Sequence, residues 1–356
     1  MFDELGDEDM QAAVWHNNKD VRVEDVQEPE VMSGKLKVKV QWGGICGSDL
    51  HAYTHGLSLE PHPISGQKPP LTLGHEFSGT IVDVADDIIS HHVGERVAIE
   101  PLIYCGECDA CKRGYYNQCS NVGFIGLNRD GGFAEYVVVD ENMVHVLPDN
   151  VSFEEGALVE PTAVAFYAVR ESKLKPGDAV AIFGAGPIGL LTLLSAKAAE
   201  ATKIIVVDIS KERLEKAKDL GATTVIDGMR NDIVETIQQV TNGGVSVAYE
   251  CAGVQPTMTN AIASVKQGGQ VMAIAVFAQP VSIEMGQLMF KAADITSTLA
   301  YRHVFPEIID MIATGRLDVK QVITKKINLK DIVEEGFEQL ISDKKQAKIL
   351  VRPDSK

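Results

Sequence analysis

Basic side chains are in short supply in this chain: 33 Lys and Arg stand against 50 Asp and Glu, for a formal net charge of −17. No long Lys/Arg run offsets that field, which repels polyanions, so nucleic acid is excluded as an expected partner. Long hydrophobic runs are missing as well. No window approaches the roughly twenty apolar residues that a membrane-spanning helix needs. The first ten residues, Met1 to Met10, are acidic and contain neither a basic nor an apolar stretch, so they do not read as a secretory signal. They read as an exposed extension, with the fold starting near Met10. A cytoplasmic setting is then expected, in which thiols stay reduced and clustered cysteines favour metal over disulfides. Internal repeats and low-complexity tracts are also absent. What is there, 356 residues with 45% hydrophobic and 23% charged side chains, is an ordinary globular composition long enough for two domains.

Four of the six cysteines fall in Cys105-x2-Cys108-x2-Cys111-x7-Cys119. Four thiols so close together match a closed tetrahedral zinc site, each sulfur about 2.3 Å from the ion. An iron–sulfur cluster competes. The intervening Gly106, Glu107, Asp109, Lys112, Arg113 and Gly114 instead describe a polar exposed lobe, hence a structural staple. A fifth cysteine lies in Gly43-Gly44-Ile45-Cys46-Gly47-Ser48-Asp49-Leu50-His51. Three glycines soften this turn, so the Cys46 thiolate, the Ser48 hydroxyl and the His51 imidazole can converge. A thiolate suits zinc, and Ser and His can pass a proton along a hydrogen-bonded chain. The bland reading is a mere turn with a surface histidine. Gly74-His75-Glu76 offers an imidazole and a carboxylate with room to approach an ion, or else a structural histidine. The sixth cysteine, Cys251, ends a core strand and reads as a small buried hydrophobe.

The pattern along the chain changes once. Residues 11–42 alternate as strands do; Leu36, Val38 and Val40 are apolar at every second position, leaving Lys35, Lys37 and Lys39 on one solvated face. The stretch from His51 to Pro70 reads as an irregular loop bordering a substrate cleft. After Val151 short apolar strands alternate with amphipathic helices, the mark of a doubly wound parallel sheet. The decisive piece is Gly184-Ala185-Gly186-Pro187-Ile188-Gly189, which follows the strand Ala179–Phe183 and opens a helix from Pro187 to Ala199. Gly184 makes the turn, Gly186 admits a pyrophosphate, and Gly189 lets helix and strand close up, while the helix that Pro187 opens supplies backbone donors from Ile188 onward. The next strand ends in Asp208, about twenty residues on, where a carboxylate grips the adenosine 2′-hydroxyl. NAD is favoured over NADP. Arg213 tempers that preference or stacks on adenine. A helix near Phe305 to Thr314 and a strand at Ala347 to Val351 close the chain.

Taken together, Gly44–His51, Gly74–Glu76, the four-cysteine lobe, Gly184–Gly189 and the Glu160-Pro161 pair within Ala157–Ala165 make the chain from about Met10 onward resemble the zinc-dependent medium-chain dehydrogenase/reductase family. The resemblance implies an α/β architecture: a GroES-like, mostly-β catalytic domain over 10–160 and 305–356, and a Rossmann NAD-binding domain over 161–304, with the active-site cleft between them. It implies two zinc ions per chain. Cys46 and His75 would hold the catalytic one, completed by Glu76 or Glu160 directly or through water; Glu160 stands where liver-type members carry a cysteine and polyol-type members a glutamate. Ser48 and His51 would carry the substrate proton to solvent by way of the nicotinamide ribose. His62–Pro70 and Val159–Arg170 resemble the members that interconvert a small vicinal diol, 2,3-butanediol, and its ketone, acetoin; sorbitol-like polyols or threonine would use the same machinery. Members are usually homodimers or homotetramers. A zinc-stapled NAD-binding sensor without turnover is the non-enzyme alternative, and metal-free quinone reductases share the fold. Both are disfavoured by the presence of Cys46, His75 and Ser48 together.

Overall fold

The computed structural model describes residues 9–343 and 345–353; the expected acidic extension over residues 1–8 lies outside the described residues. The chain divides into two compact units, one running up to Glu160 and resuming at Ile323, the other spanning Pro161–Val322. Residues 305–322 therefore group with the second unit, whereas the sequence placed them with the first. The reason is packing: the helix Phe305–Ala313 buries Phe305, Ile308, Ile309 and Ile312 on one face, next to the buried Tyr301.

The first unit is mostly β. Its central strand, Lys35–Gly44, pairs antiparallel with Glu76–Val84 on one side and with Lys348–Arg352 on the other, and Tyr136–Asp140 pairs with its first half. Leu36, Val38 and Val40 alternate inward as the period-2 pattern requires and are fully buried. The opposite face is not the solvated one expected. Lys35 is paired with Asp140 at 2.8 Å and Lys37 with Glu28 at 2.7 Å, and both side chains are largely covered. A parallel neighbour, Ile323–Asn328, extends the sheet beyond Lys348–Arg352 and has no clear counterpart in the sequence pattern.

The second unit is a six-stranded sheet with every pairing parallel. Numbered from Ala179–Phe183 as one, its strand order is 3-2-1-4-5-6. That is the doubly wound order, in which ligands bind outside the carboxyl ends of the strands where the order reverses. The reversal falls between Ala179–Phe183 and Val245–Glu250. Ala181, Phe183, Ile205, Val207, Ala248 and Val271 build the core beneath it.

Candidate functional site

The central strand of the first unit delivers the first group. Where it ends, the Ile45 N–H donates to the Ile349 carbonyl at 3.0 Å, and Cys46 then caps a helix, Gly47–His55. The glycine-rich stretch expected as a turn is thus a helix start, and residues 51–55 belong to that helix rather than to a loop. Its cause is Asp49: from the third helical position its Oδ2 accepts the Cys46 N–H at 2.9 Å, satisfying an orphan donor of the first turn.

His75 arrives from a different segment. Residues 72–74 are stitched to 131–133 by three backbone hydrogen bonds of 2.8–2.9 Å, which hold the imidazole over the helix start. Its Nε2 lies 3.0 Å from Ser48 Oγ and its Nδ1 3.5 Å from Asp49 Oδ1. Glu76 begins the next strand, directly opposite Gly44. A Cβ at position 44 would overlap the Glu76 carboxylate, so only glycine lets that carboxylate occupy its place. Both Glu76 oxygens accept from Lys348 Nζ, at 2.8 and 2.6 Å, and the same ammonium reaches the Ile45 carbonyl at 2.9 Å. Lys348 is 1% exposed.

The donor atoms of Cys46, His75 and Glu76 lie within 4.8 Å of one another. Burial pulls the His75 imidazolium down, but Asp49 and the Cys46 thiolate outweigh it and hold the ring well above its ordinary pKa. Lys348, against the same burial, is held up by Glu76, Cys46 and Glu160. So a thiolate and three carboxylates act on two buried groups, and Lys348 offsets only part of that charge. His75 Nδ1 and Asp49 Oδ1 have no hydrogen-bond partner among the described residues. An ion that displaces the Nε2 proton, while the proton on Nδ1 stays directed at Asp49, finds a lone pair on Nε2. A divalent cation bound by sulfur and nitrogen fits this set, because it supplies the missing positive charge and uses that lone pair.

Ser48 is half-buried beside His75, and His51 stands one helical turn further on, exposed. No hydrogen bond joins Ser48 to His51 among the described residues. His51 instead stacks on His55, with ring centroids 4.6 Å apart. Glu160 is 4% exposed on the helix Val159–Arg170 and is not part of the 4.8 Å group. Sequence reasoning missed Asp49 and Lys348 as members of this site. For Lys348 the available signal was a single lysine inside the apolar run Ala347-Lys348-Ile349-Leu350-Val351.

In the same unit the sulfurs of Cys105, Cys108, Cys111 and Cys119 also lie within 4.8 Å of one another. Cys105 and Cys119 are 3.5 Å apart, too far for a disulfide. Backbone N–H groups converge on the sulfurs: Cys108 donates to Cys105 at 3.3 Å, and Cys105 and Asn121 donate to Cys119 at 3.4 Å. Such donors hold the Cys105 and Cys108 thiols below their ordinary pKa, while burial pushes Cys111 up. Glu100 anchors the lobe, accepting from the Tyr116 hydroxyl at 2.7 Å and lying 3.0 Å from His145 Nε2. Four soft donors in a polar shell fit a tetrahedral zinc.

In the second unit the glycine turn sits at the strand-order reversal. Gly184 has φ +101°, a left-handed conformation, and its N–H donates to the Val207 carbonyl at 2.8 Å. A Cβ on Gly189 would overlap the Gly184 carbonyl oxygen. Gly186 is different. It caps the helix Pro187–Ala198 with an ordinary extended backbone, and a Cβ there would meet only Arg213, at 4.0 Å. The protein's own atoms do not require glycine at 186, whereas a pyrophosphate approaching the helix start does. Asp208 is buried at the end of its strand, where Oδ2 accepts the Ala185 N–H at 2.6 Å and Oδ1 the Ser210 N–H at 2.8 Å. The two glycines are therefore expected to separate. Gly189→Ala lowers the thermal midpoint, while Gly186→Ala leaves it near that of the parent and weakens dinucleotide binding at least tenfold in a fluorescence titration. Equal binding by the Gly186 variant and the parent would refute the phosphate cradle.

Comparison with known proteins gives two family matches. Residues 32–149 match the alcohol dehydrogenase GroES-like domain and residues 187–314 match the zinc-binding dehydrogenase family. The chain is 44% identical over 350 residues to (R,R)-butanediol dehydrogenase of Bacillus subtilis (strain 168), covering 97% of this chain and all of that one. A crystal structure of 2R,3R-butanediol dehydrogenase from Bacillus subtilis superposes with a TM-score of 0.92 at 44% identity, again covering 97% and 100%. A zinc-binding dehydrogenase from Sinorhizobium meliloti 1021 bound to NADP superposes with a TM-score of 0.89 at 33% identity, covering 97% of this chain and 100% of that one.

Proposed function

The chain belongs to the zinc-binding alcohol dehydrogenase family, and from that premise we propose that it interconverts (R,R)-2,3-butanediol and acetoin with NAD as hydride carrier. The observation that carries the chemistry is the grouping of Cys46, His75 and Glu76 with Ser48 Oγ 3.0 Å from the imidazole. The near-complete 44% match to a butanediol dehydrogenase supports the substrate.

Hydride can leave a carbinol carbon only as its hydroxyl gives up a proton. Zinc in this site would act as a Lewis acid, pulling the pKa of a coordinated hydroxyl towards neutrality. Cys46 and His75 hold the ion, with Glu76 or Glu160 completing its shell. Asp49 fixes the tautomer and tilt of His75. Ser48 accepts the substrate proton, and His51, exposed on the same helix, hands it to solvent. In the second unit Gly184, Gly186 and Gly189, with the helix start at Pro187 and Ile188, cradle the pyrophosphate. Asp208 accepts from the adenosine ribose and repels a 2′-phosphate, and Arg213 lies against adenine. That assignment favours NAD, although a relative binds NADP. Cys105, Cys108, Cys111 and Cys119 hold a second, structural zinc. We further place the enzyme in the cytoplasm as a homodimer or homotetramer.

The test compares initial rates of NADH oxidation with acetoin, diacetyl, fructose and an unfunctionalised ketone. Acetoin is expected to exceed fructose by at least tenfold in kcat/KM, and NADH to exceed NADPH. Acetoin no better than fructose would overturn the diol assignment in favour of a polyol.

A further inference from the structure

His51 and His55 lie four positions apart on the helix Gly47–His55, so both imidazoles leave the same face one turn apart. Both residues are exposed, and their rings stack 14° from parallel with centroids 4.6 Å apart, so one ring turns out of the stack for the two in-plane lone pairs to meet on one ion. Two histidines at this spacing are a recurrent pair of metal ligands on helices. The hydrogen bonds around them set up the donor atoms. Thr54 Oγ1 donates its hydroxyl proton to the Leu50 carbonyl at 2.7 Å, so in its 2.7 Å contact with His55 Nδ1 the imidazole is the donor. That fixes the proton of His55 on Nδ1 and leaves the Nε2 lone pair open, the role that an outer hydrogen bond plays for metal-binding histidines. His51 has no hydrogen-bond partner for its ring among the described residues, so either of its nitrogens can serve.

We propose that His51 and His55 form a two-imidazole chelate for a divalent transition-metal ion, separate from the Cys46 group, and that filling it withdraws His51 from the proton path. The first half stands on the pair itself; the second rests on the reading of His51 as the last member of the relay. Imidazole suits zinc, copper and nickel alike. Two protein ligands leave the rest of the shell to water, so the site binds more weakly than the Cys46 group and acts when free metal is in excess. A lone pair committed to a metal cannot accept the relayed proton, so excess metal slows turnover without displacing the resident ions.

The experiment uses the zinc-loaded enzyme and Ni²⁺ as probe, with nickel and zinc counted per chain after equilibrium dialysis and alcohol oxidation assayed in parallel. The parent is expected to take up one nickel while keeping its zinc, and to lose at least tenfold in rate as the nickel binds. His55→Ala leaves the metal-free rate near that of the parent, abolishes the uptake, and raises the nickel concentration for half-inhibition at least tenfold. His92→Ala, which removes an exposed histidine next to the largely covered His91, changes neither. Uptake that survives His55→Ala, disappears with His92→Ala, or comes with loss of zinc would overturn the chelate. Uptake that depends on His55 but leaves the rate untouched would keep the chelate and overturn the place of His51 in the proton path.

Discussion

Lys348→Met is expected to lower the thermal midpoint by about 6–20 °C. The variant strips the partner from a carboxylate that lies fully inside the first unit. Glu76 is 1% exposed, and both its oxygens are satisfied by this one ammonium. Removing one member of a buried pair costs about 3–5 kcal/mol, because the remaining charge is neither solvated nor compensated. For a unit of this size each kcal/mol shifts the midpoint by about 2–4 °C. The Ile45 carbonyl loses its 2.9 Å donor at the same time, which loosens the strand end that carries Cys46. A double variant, Lys348→Met with Glu76→Gln, removes the stranded charge and is expected to recover about half of the loss or more. The two substitutions are therefore strongly non-additive. A Lys348→Met midpoint within about 2 °C of the parent, or strictly additive losses, would show that the pair is not the tie between these strands.

That pair also marks the limit of what the sequence discloses. Features written within a short stretch were legible: the four cysteines within fifteen residues, the glycine turn with Asp208 downstream, and the alternation of Leu36, Val38 and Val40. Each follows from a local rule of ligand spacing, backbone conformation or strand period. Glu76 and Lys348 are 272 positions apart, and nothing in either neighbourhood announces the other. Composition hid the strand Ile323–Asn328: its burial alternates cleanly, but only Ile323 and Ile327 are apolar, and its pairing depends on the returning strand Lys348–Arg352. The helix at Gly47 was masked for another reason. Glycine is a poor helix former, and three glycines in the stretch Gly43–Gly47 argue for a turn on propensity alone. Asp49 overrides that propensity by capping Cys46, and the same carboxylate faces His75. A residue that starts the helix thus also orients a candidate ligand, and one stretch of sequence encodes both.

Cys46→Ala is expected to reduce kcat/KM by about 10³-fold or more and to lower the zinc content from two ions per chain to one. A Lewis acid contributes several kcal/mol to the stabilisation of developing negative charge, and each 1.36 kcal/mol is a factor of ten in rate. Cys46 supplies the only sulfur among the three grouped donors, so its loss leaves a neutral imidazole and a carboxylate already engaged by Lys348. Those two donors are a poor zinc site. Asp49 keeps its contact with the Cys46 N–H, which is backbone and survives the substitution, so the helix Gly47–His55 is expected to persist. Far-ultraviolet circular dichroism and the thermal midpoint then stay near those of the parent, which separates lost chemistry from lost folding. Cys105→Ala provides the contrast. It also removes one zinc, but from the four-sulfur lobe, and it is expected to lower stability more than it lowers the rate of the protein that remains folded. If Cys46→Ala kept two zinc ions, or stayed within tenfold of the parent rate, the ion would not sit on Cys46; a parent without turnover would instead be the non-catalytic, zinc-stapled binder of dinucleotide.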